Sequence, residues 1–591
     1  MPRLVCALLV LAGLAPVPAL AQFGPTARME GVEVRKVADI PSGFGVNRHP
    51  IRIAQDPTDG ALYVLATSQP DGRSPGWTSV IYRLEPADDG RLAPVQVLSA
   101  ADHGTPRPVG MAFGPEGTLY LVGNDEVGET QTQIVIRRGT PSGDGWTWST
   151  VATSEPYLFS YTYFDHRANA IVVTPDGSSL IVNSGSRTDH GESYGGVREE
   201  GLTAVLLQIP ADGADLTLPN DRQSLKDAGY VFAEGNRNMA DLAFAPNGDL
   251  FGPDNAGDRD DPGELNWVRE GEHYGFPWRI GGNETPMQFD GYEPQNDPLV
   301  PEVCNPNPAD TGCYFSNDPN YPAPPEGVTF VEPIPNAGPY ADTFLDPTTG
   351  AVRDASEEGT TVTTFEGGRS PLGLVFDADS LLAGRLEGGA FLLSFAGARG
   401  GFPEDGQDLV FLDLDKGEAD YTLSTELVVD GFTHPIDAVM VENVVYVVEY
   451  GDWFSPGGSR GVWAVTLPRQ GGTSAEPVAE AGVRLDVFPN PTTDRLTVTY
   501  EVPTPTEVRI EVVDVLGRVV RTVVDEAASG RTTLPTDGLG AGTYVVRLTA
   551  GAAHLTQPVA RAPAPLTPRW SRPRSPPART GRPGGRPRRR A

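Results

Sequence analysis

Between Gly235 and Pro277 the chain crowds most of its chemically capable side chains into one stretch, GNRNMADLAFAPNGDLFGPDNAGDRDDPGELNWVREGEHYGFP. An Arg-Asn pair, Arg237-Asn238, opens it, and a loop carrying Asp254, Asp258, Asp260, Asp261 and Glu264 follows. Five carboxylates this close repel one another unless a cation or solvent separates them. A guanidinium stays charged at any working pH and meets carboxylates or a developing oxyanion through planar donors. A proton acceptor working near neutrality is most simply a histidine. His166 stands ahead of an apolar strand, and His49 and His434 stand in similar places.

The elements that must position these groups repeat along the chain. Between the Arg-Asn pair and the acidic loop lie an apolar strand, Leu242 to Phe244, the turn Pro246-Asn247-Gly248 and a second short strand. Asn-Gly between two apolar runs predicts a hairpin, because glycine takes φ > 0 without steric cost. The same unit recurs from His49, Arg107, His166, Arg237, Ser370 and His434, with starts 58, 59, 71, 133 and 64 residues apart. Paired strands at a period near 60 mark a β-propeller, whose small antiparallel sheets cannot bury their faces alone. Six copies predict six blades over residues 22–468. The wide gap predicts an insertion over 278–368, rich in Pro, Asn and Asp. In that geometry the unit heads lie at one mouth of the central channel, so His49, Arg107, His166, Arg237 and His434 are expected to converge on one funnel.

Residues 1–21 read as a signal peptide, with Arg3, an apolar run from Leu4 to Leu14 and the small-residue site Ala19-Leu20-Ala21. No later run reaches the roughly 20 apolar residues a spanning helix needs, so no transmembrane segment is expected. Cys6 falls within the signal, and Cys304 with Cys313 is expected to form a local disulfide in an oxidising compartment. The net charge is −33, and the nine arginines without an acid in 562–591 put the rest of the chain at −42. Such a surface argues against nucleic acid as a ligand.

After a linker over 469–485, alternating strands at Leu496 to Tyr500, Val508 to Val513, Val519 to Val524 and Thr543 to Leu548 predict a small β-sandwich, 486–561. The remaining 562–591 is Arg- and Pro-rich and reads as disordered. The chain is thus expected to be all-β, a six-bladed β-propeller followed by a small β-sandwich C-terminal domain.

The segment Val487-Phe488-Pro489-Asn490-Pro491, then VVDVLGRVV, Leu539 and Gly542-Thr543-Tyr544 resembles the C-terminal sorting domain of the type IX secretion system. That resemblance implies export by the type IX secretion machinery, with a secreted or cell-surface location. Glu264-Leu265-Asn266, Gly271, Tyr274-Gly275-Phe276-Pro277, the Gly235-Asn236-Arg237-Asn238 run and Ser370-Pro371-Leu372-Gly373 resemble the soluble quinoprotein glucose dehydrogenase and sorbosone dehydrogenase family.

The family resemblance implies a six-bladed propeller holding pyrroloquinoline quinone (PQQ) and calcium, and oxidation of a sugar hemiacetal to a lactone. It casts His166 as catalytic base, Arg237 and Asn238 as quinone contacts, and Arg369 and Arg399 as carboxylate clamps. Calcium is expected on the backbone carbonyls of Ala256 and Gly257, which stand where the family has Gly-Pro, with Asp258 and Asp261 adding oxygens. A soluble or membrane electron acceptor completes the reaction. The alternatives are a metal-dependent lactonase-like propeller hydrolase and a non-catalytic carbohydrate-binding propeller.

Overall fold

Each of the six sequence copies opens its own antiparallel sheet in the computed structural model of the chain. The structure describes residues 24–42, 47–68 and 78–470, with gaps at 88, 144, 161, 163, 302–314, 398–401 and 452–459, and residues 484–561 with short gaps. The signal segment, most of the linker, Cys304, Cys313, Arg399 and the tail 562–591 lie outside the described residues. Two compact units divide after Gly472.

In the first unit the leading strands are β1 (Arg48–Gln55), β2 (Pro108–Phe113), β3 (Ala168–Val173), β4 (Ala243–Phe244), β5 (Pro371–Phe376) and β6 (Pro435–Val441). β1 packs on β2, β2 on β3, β4 on β5, β5 on β6, and β6 back on β1. Ala170 in β3 shares an apolar cluster with Leu242 and Phe244, which links the third and fourth sheets. The sixth sheet is completed from the other end of the unit, where Glu33–Asp39 pairs antiparallel with Gly461–Thr466. Strands covered on both faces read as continuous apolar runs. Ile134 and Ile136 of the second sheet, for example, meet Leu180, Val182, Val205 and Leu207 of the third in one buried cluster.

The hairpin turn at Pro246-Asn247-Gly248 forms as its residues predict. Gly248 has φ of 88°, and the Asn247 Oδ1 accepts the Asp249 N–H at 3.0 Å. The sheet it belongs to is nevertheless the thinnest of the six, with three strands and a two-residue leader. Leu242 leaves the ladder because the Asp241 carboxylate takes its N–H at 2.9 Å and the Leu374 N–H at 2.8 Å. The segment between the fourth and fifth sheets adds Pro335–Asn336 and Val362–Thr363 to the edge of the fifth.

One local device recurs at the head of the leading strands. Arg107, Arg167, Ser370 and His434 have φ of 38°, 46°, 51° and 52°, and each directly precedes β2, β3, β5 or β6. A bulge follows within the first residues of each of these strands, and of β1 as well. Left-handed backbone outside glycine is costly, and together with a bulge it re-aims the neighbouring side chains. This corrects the register read from the sequence. Arg167, not His166, matches Arg107 and His434, so His166 lies one residue earlier, in the same place in its unit as Arg369.

Arg52, displaced by the β1 bulge, is the centre of the ring. Its Nε donates to the Val109 carbonyl at 2.9 Å, and its NH2 donates to those of Asn169 at 2.9 Å and Ala240 at 2.7 Å. Its NH1 lies 3.6 Å from Asp437 Oδ1. One guanidinium thereby ties together residues from the first, second, third, fourth and sixth sheets, and Asp241 carries the link to the fifth.

The second unit has two antiparallel sheets. One joins Arg484–Phe488, Arg495–Glu501 and Ser529–Pro535; the other joins Val519–Asp525, Val508–Asp514, Gly542–Ala550 and Ala553–Arg561. Leu485, Val487, Leu496 and Val498 of the first share a core with Ile510, Val512, Val546 and Leu548 of the second. Among the described residues no helix is long and apolar enough to cross a membrane.

Replacing Arg52 by Leu strips three carbonyls of their donor and leaves Asp437 buried without its cation. The expected loss is about 3–5 kcal/mol, read from urea denaturation. Burial, set against Arg52, holds the Asp437 pKa up at about 7. The deficit is therefore largest above that pH and shrinks as Asp437 takes up a proton below it.

Candidate active site

Four chain segments close around one pocket of about 140 Å³ at the heads of the third, fourth and fifth sheets. Phe164 and His166 come from the approach to β3, and Arg237 from the turn before β4. Asn255, Ala256, Gly257 and Asp258 come from the acidic loop, and Gly368, Arg369, Ser370 and Pro371 from the head of β5. Of the residues singled out from the sequence, the pocket brings together His166, Arg237, Ala256, Gly257, Asp258 and Arg369.

His166 is oriented by Ser186. Its backbone N–H donates to the Ser186 carbonyl at 3.0 Å, and its Nδ1 lies 3.3 Å from Ser186 Oγ. The Ser186 hydroxyl spends its own proton on the Thr188 carbonyl at 2.7 Å. Oγ can then only accept, so Nδ1 carries the hydrogen and Nε2 keeps the lone pair. Burial, reinforced by the charge of Arg237, holds the His166 pKa well below its ordinary value. The ring is a neutral base with a fixed tautomer. Gly185 stands behind it, where a Cβ would fall 2.6 Å from His166 Cβ.

Arg237 is 3 % exposed and bound on every side. Its Nε donates to the Asp189 carbonyl at 2.7 Å, its NH1 to the carbonyls of Asn255 at 3.0 Å and Ala256 at 3.1 Å, and its NH2 to Asp189 Oδ1. Four of five N–H donors are thus engaged, and the fifth is on NH2. Phe164 lies beside the guanidinium, 5.4 Å from ring centre to Cζ. Burial pushes the Asp189 carboxyl up, but Arg237 and the His190 hydrogen bond outweigh it and hold the group ionised. Arg369 is built alike: Nε bonds to Ser394, NH1 to Glu366 and Glu404, and NH2 to Asp408. Three carboxylates around one guanidinium leave excess negative charge, and burial lifts Glu366 to about 8, where it keeps its proton at neutrality.

The five crowded carboxylates scatter. Asp254 turns inward to take the backbone N–H groups of Arg237 and Asn238, and burial raises it to about 6 despite them. Glu264 is raised by burial to about 8 and accepts from Gly281 and Asn266. Asp261 pairs with Arg259 and Asn283 and does not line the pocket. Only Asp258 of the five lines the pocket. The charges expected to need a metal are separated by Arg259 and by backbone donors.

The expected funnel does not gather the other heads. His49 is fully buried, with Nδ1 at 2.9 Å from the Tyr450 carbonyl and Nε2 at 3.1 Å from Asn47. Arg107 pairs with Glu126 in a separate open groove, and His434 does not line the pocket. Asn238 serves the scaffold: its Oδ1 accepts from Asn169 at 2.6 Å, which accepts from Asn183, which accepts from Asn236.

Sequence reasoning missed Asp189, the partner of Arg237. It lies 48 residues upstream in a loop without strand alternation. The only hint is the close run Arg187, Asp189, His190, Glu192.

The donor set does not fit calcium as expected. Of the two carbonyls expected to hold calcium, that of Ala256 already receives Arg237 NH1, as does the neighbouring Asn255 carbonyl, and among the described residues no group of three or more His, Cys, Asp or Glu could hold a metal. The quinone fits better. Two pre-set guanidiniums each keep an NH2 donor, and Asn255 Oδ1, in the pocket wall, is buried with no partner among the described residues. An acceptor-rich ligand with one donor answers that set.

Comparison with known proteins followed the same division. The sequence model of the Glucose / Sorbosone dehydrogenase family matches residues 108–322, and that of the Secretion system C-terminal sorting domain matches residues 486–560. No curated protein matches the chain significantly. Among solved structures, the holo PQQ domain of pyranose dehydrogenase from Coprinopsis cinerea is 13 % identical, with a TM-score of 0.44, over 75 % of this chain and 97 % of that one. The PQQ-bound aldose sugar dehydrogenase from Streptomyces coelicolor is 16 % identical, with a TM-score of 0.41, over 75 % of this chain and 99 % of that one. Residues 108–322, which supply His166, Arg237 and the acidic loop, are thus identified with the glucose/sorbosone dehydrogenases, and residues 486–560 with the secretion sorting domain.

Proposed function

We propose that the protein is an exported sugar dehydrogenase that oxidises the C1 hydroxyl of a hemiacetal to a lactone, with PQQ as hydride acceptor. In this reading the six sheets are the blades of a six-bladed propeller and residues 486–561 form a β-sandwich that directs sorting. The observation that carries the proposal is the neutral His166, its tautomer fixed by Ser186, in one pocket with Arg237, both inside the segment matched to the dehydrogenase family, and with Arg369 from beyond that segment.

Hemiacetal oxidation needs a base for the hydroxyl proton, a hydride acceptor, and donors where negative charge grows. His166 Nε2 takes the proton from the C1 hydroxyl as the C1–H bond breaks. When bound, PQQ supplies the two-electron acceptor for that hydride. The NH2 donors of Arg237 and Arg369 would hold its oxygens, with Arg237 placed to offset negative charge there. Asn255 Oδ1 receives a ligand N–H or O–H. The ion pair with Asp189 keeps the Arg237 fork in place, so little reorganisation accompanies the reaction. No role falls to Asn238 or Asp261 beyond the scaffold, and calcium enters no step.

Export follows from the two ends of the chain. Removal of the signal peptide delivers the protein to the periplasm, and the type IX machinery carries it to the cell surface or the medium. There an electron acceptor reoxidises the cofactor.

His166→Ala is expected to lower dye-linked aldose oxidation by about 10²–10⁴-fold while quinone binding, read by absorbance titration, is unchanged. A quinone titration of the wild type that alters neither absorbance nor melting temperature overturns the dehydrogenase reading.

The base must be unprotonated, and its pKa is depressed, so kcat/KM holds below the pH at which free imidazole protonates. Ser186→Asp sets a negative charge beside Nδ1 and favours the imidazolium, moving the acid limb of kcat/KM to higher pH by about one unit or more. The pH–rate profiles of the two proteins decide this.

Deleting residues 486–561 is expected to leave quinone-dependent activity in the periplasmic fraction and remove it from the surface and medium, as fractionation and immunoblotting would show.

A further inference from the structure

We infer that Arg237 is itself the resident cation of this pocket, filling the place of a divalent metal between Asp189 and the Asn255 and Ala256 carbonyls, so that cofactor loading needs no calcium. The inference rests on the dehydrogenase reading for what the cation serves, though the oxygen shell stands apart from it. Four oxygens converge on the guanidinium: the Asp189 carbonyl, Asp189 Oδ1 and the two loop carbonyls. Three neutral oxygens and one carboxylate are the donor types a hard cation collects. Here they are distributed over the fork of one side chain.

Three features keep a second cation out. The chain at Arg237 is pinned, because Asp254 takes the N–H of residue 237 through Oδ2 and that of residue 238 through Oδ1. The acidic loop presses on Asp189 so closely that a Cβ on Gly257 would lie 2.4 Å from Oδ1, while the Asp258 N–H donates to Oδ2 at 3.2 Å. A metal ion among the same oxygens would also sit within a few ångströms of a buried positive charge, where repulsion is weakly screened. The loop that could present carbonyls to calcium is instead shaped around an arginine.

The consequence is that removing the guanidinium uncovers a metal site. In Arg237→Ala the four oxygens lose their donor, Asp189 becomes a buried carboxylate without its cation, and Asp258 lies at hand in the pocket wall.

The test uses the full-length mature protein stripped with EDTA and titrated with calcium chloride alone, followed by melting temperature and calorimetry. The wild type is expected to show no one-to-one binding and no shift. Arg237→Ala is expected to bind one calcium and melt several degrees higher with it, and Asp189→Asn added to that variant abolishes the effect. One-to-one calcium binding that raises the wild-type melting temperature overturns the inference, as does an Arg237→Ala protein that folds yet ignores calcium.

Should that variant not fold, PQQ titration of the wild type in EDTA and in calcium decides instead. Dissociation constants within about twofold support the inference, and loading seen only with calcium sinks it. Failure of PQQ to bind under either condition would overturn the dehydrogenase reading and leave the calcium result to stand by itself.

Discussion

A buried guanidinium that satisfies backbone carbonyls from several sheets at once is the interaction on which this architecture depends. Arg52 does so among the leading strands, donating to the carbonyls of Val109, Asn169 and Ala240. Hydrogen bonds from a charged donor are stronger than neutral ones, and a planar fork serves several acceptors in fixed directions. Asp437 and Asp241 return the charge and carry the connection around to the sixth and fifth sheets. Apolar side chains could fill the same volume, but they would leave those carbonyls unpaired in a dry place.

The pocket repeats this solution in a form that chemistry can use. Arg237 and Arg369 are each held by acceptors on four of their five donors, and both line the cavity. What distinguishes them from Arg52 is position: they sit ahead of the leading strands of their sheets rather than within one. His166 shares that position with Arg369, one residue ahead of the left-handed turn. The repeat therefore supplies equivalent mounting points, and the residue type placed at each one sets its role.

Much of the ring was legible in the sequence, because period-2 apolar runs and Pro-Asn-Gly or Pro-Asp-Gly turns are local signals. The four strands read in 486–561 recur within a residue or two, while Ser529–Pro535 and Ala553–Arg561 went unread, the first being rich in Thr and Gly. The residues that line the pocket from 166 to 369 were mostly named from the family pattern. What sequence could not give was the pairing between distant loops. Asp189 meets Arg237 only after two sheets have packed, and Asp261 finds Arg259 because burial favours a carboxylate beside the nearest cation. The register of the third unit was off by one because nothing in Asp165-His166-Arg167 marks which residue takes positive φ. Nor does a glycine at 257 declare that it is there to clear a carboxylate rather than to offer a carbonyl.

The pairing of Glu33–Asp39 with Gly461–Thr466 has a consequence in time. The strand Glu33–Asp39 has no ladder partner until more than four hundred further residues have been made, so the sixth sheet stays open until then. Non-local closure of this kind is slow, and an open ring leaves a sheet edge unpaired until it happens. The first unit therefore cannot complete its sixth sheet until Gly461–Thr466 exists, and a chain stopped short of that strand carries an open sheet edge.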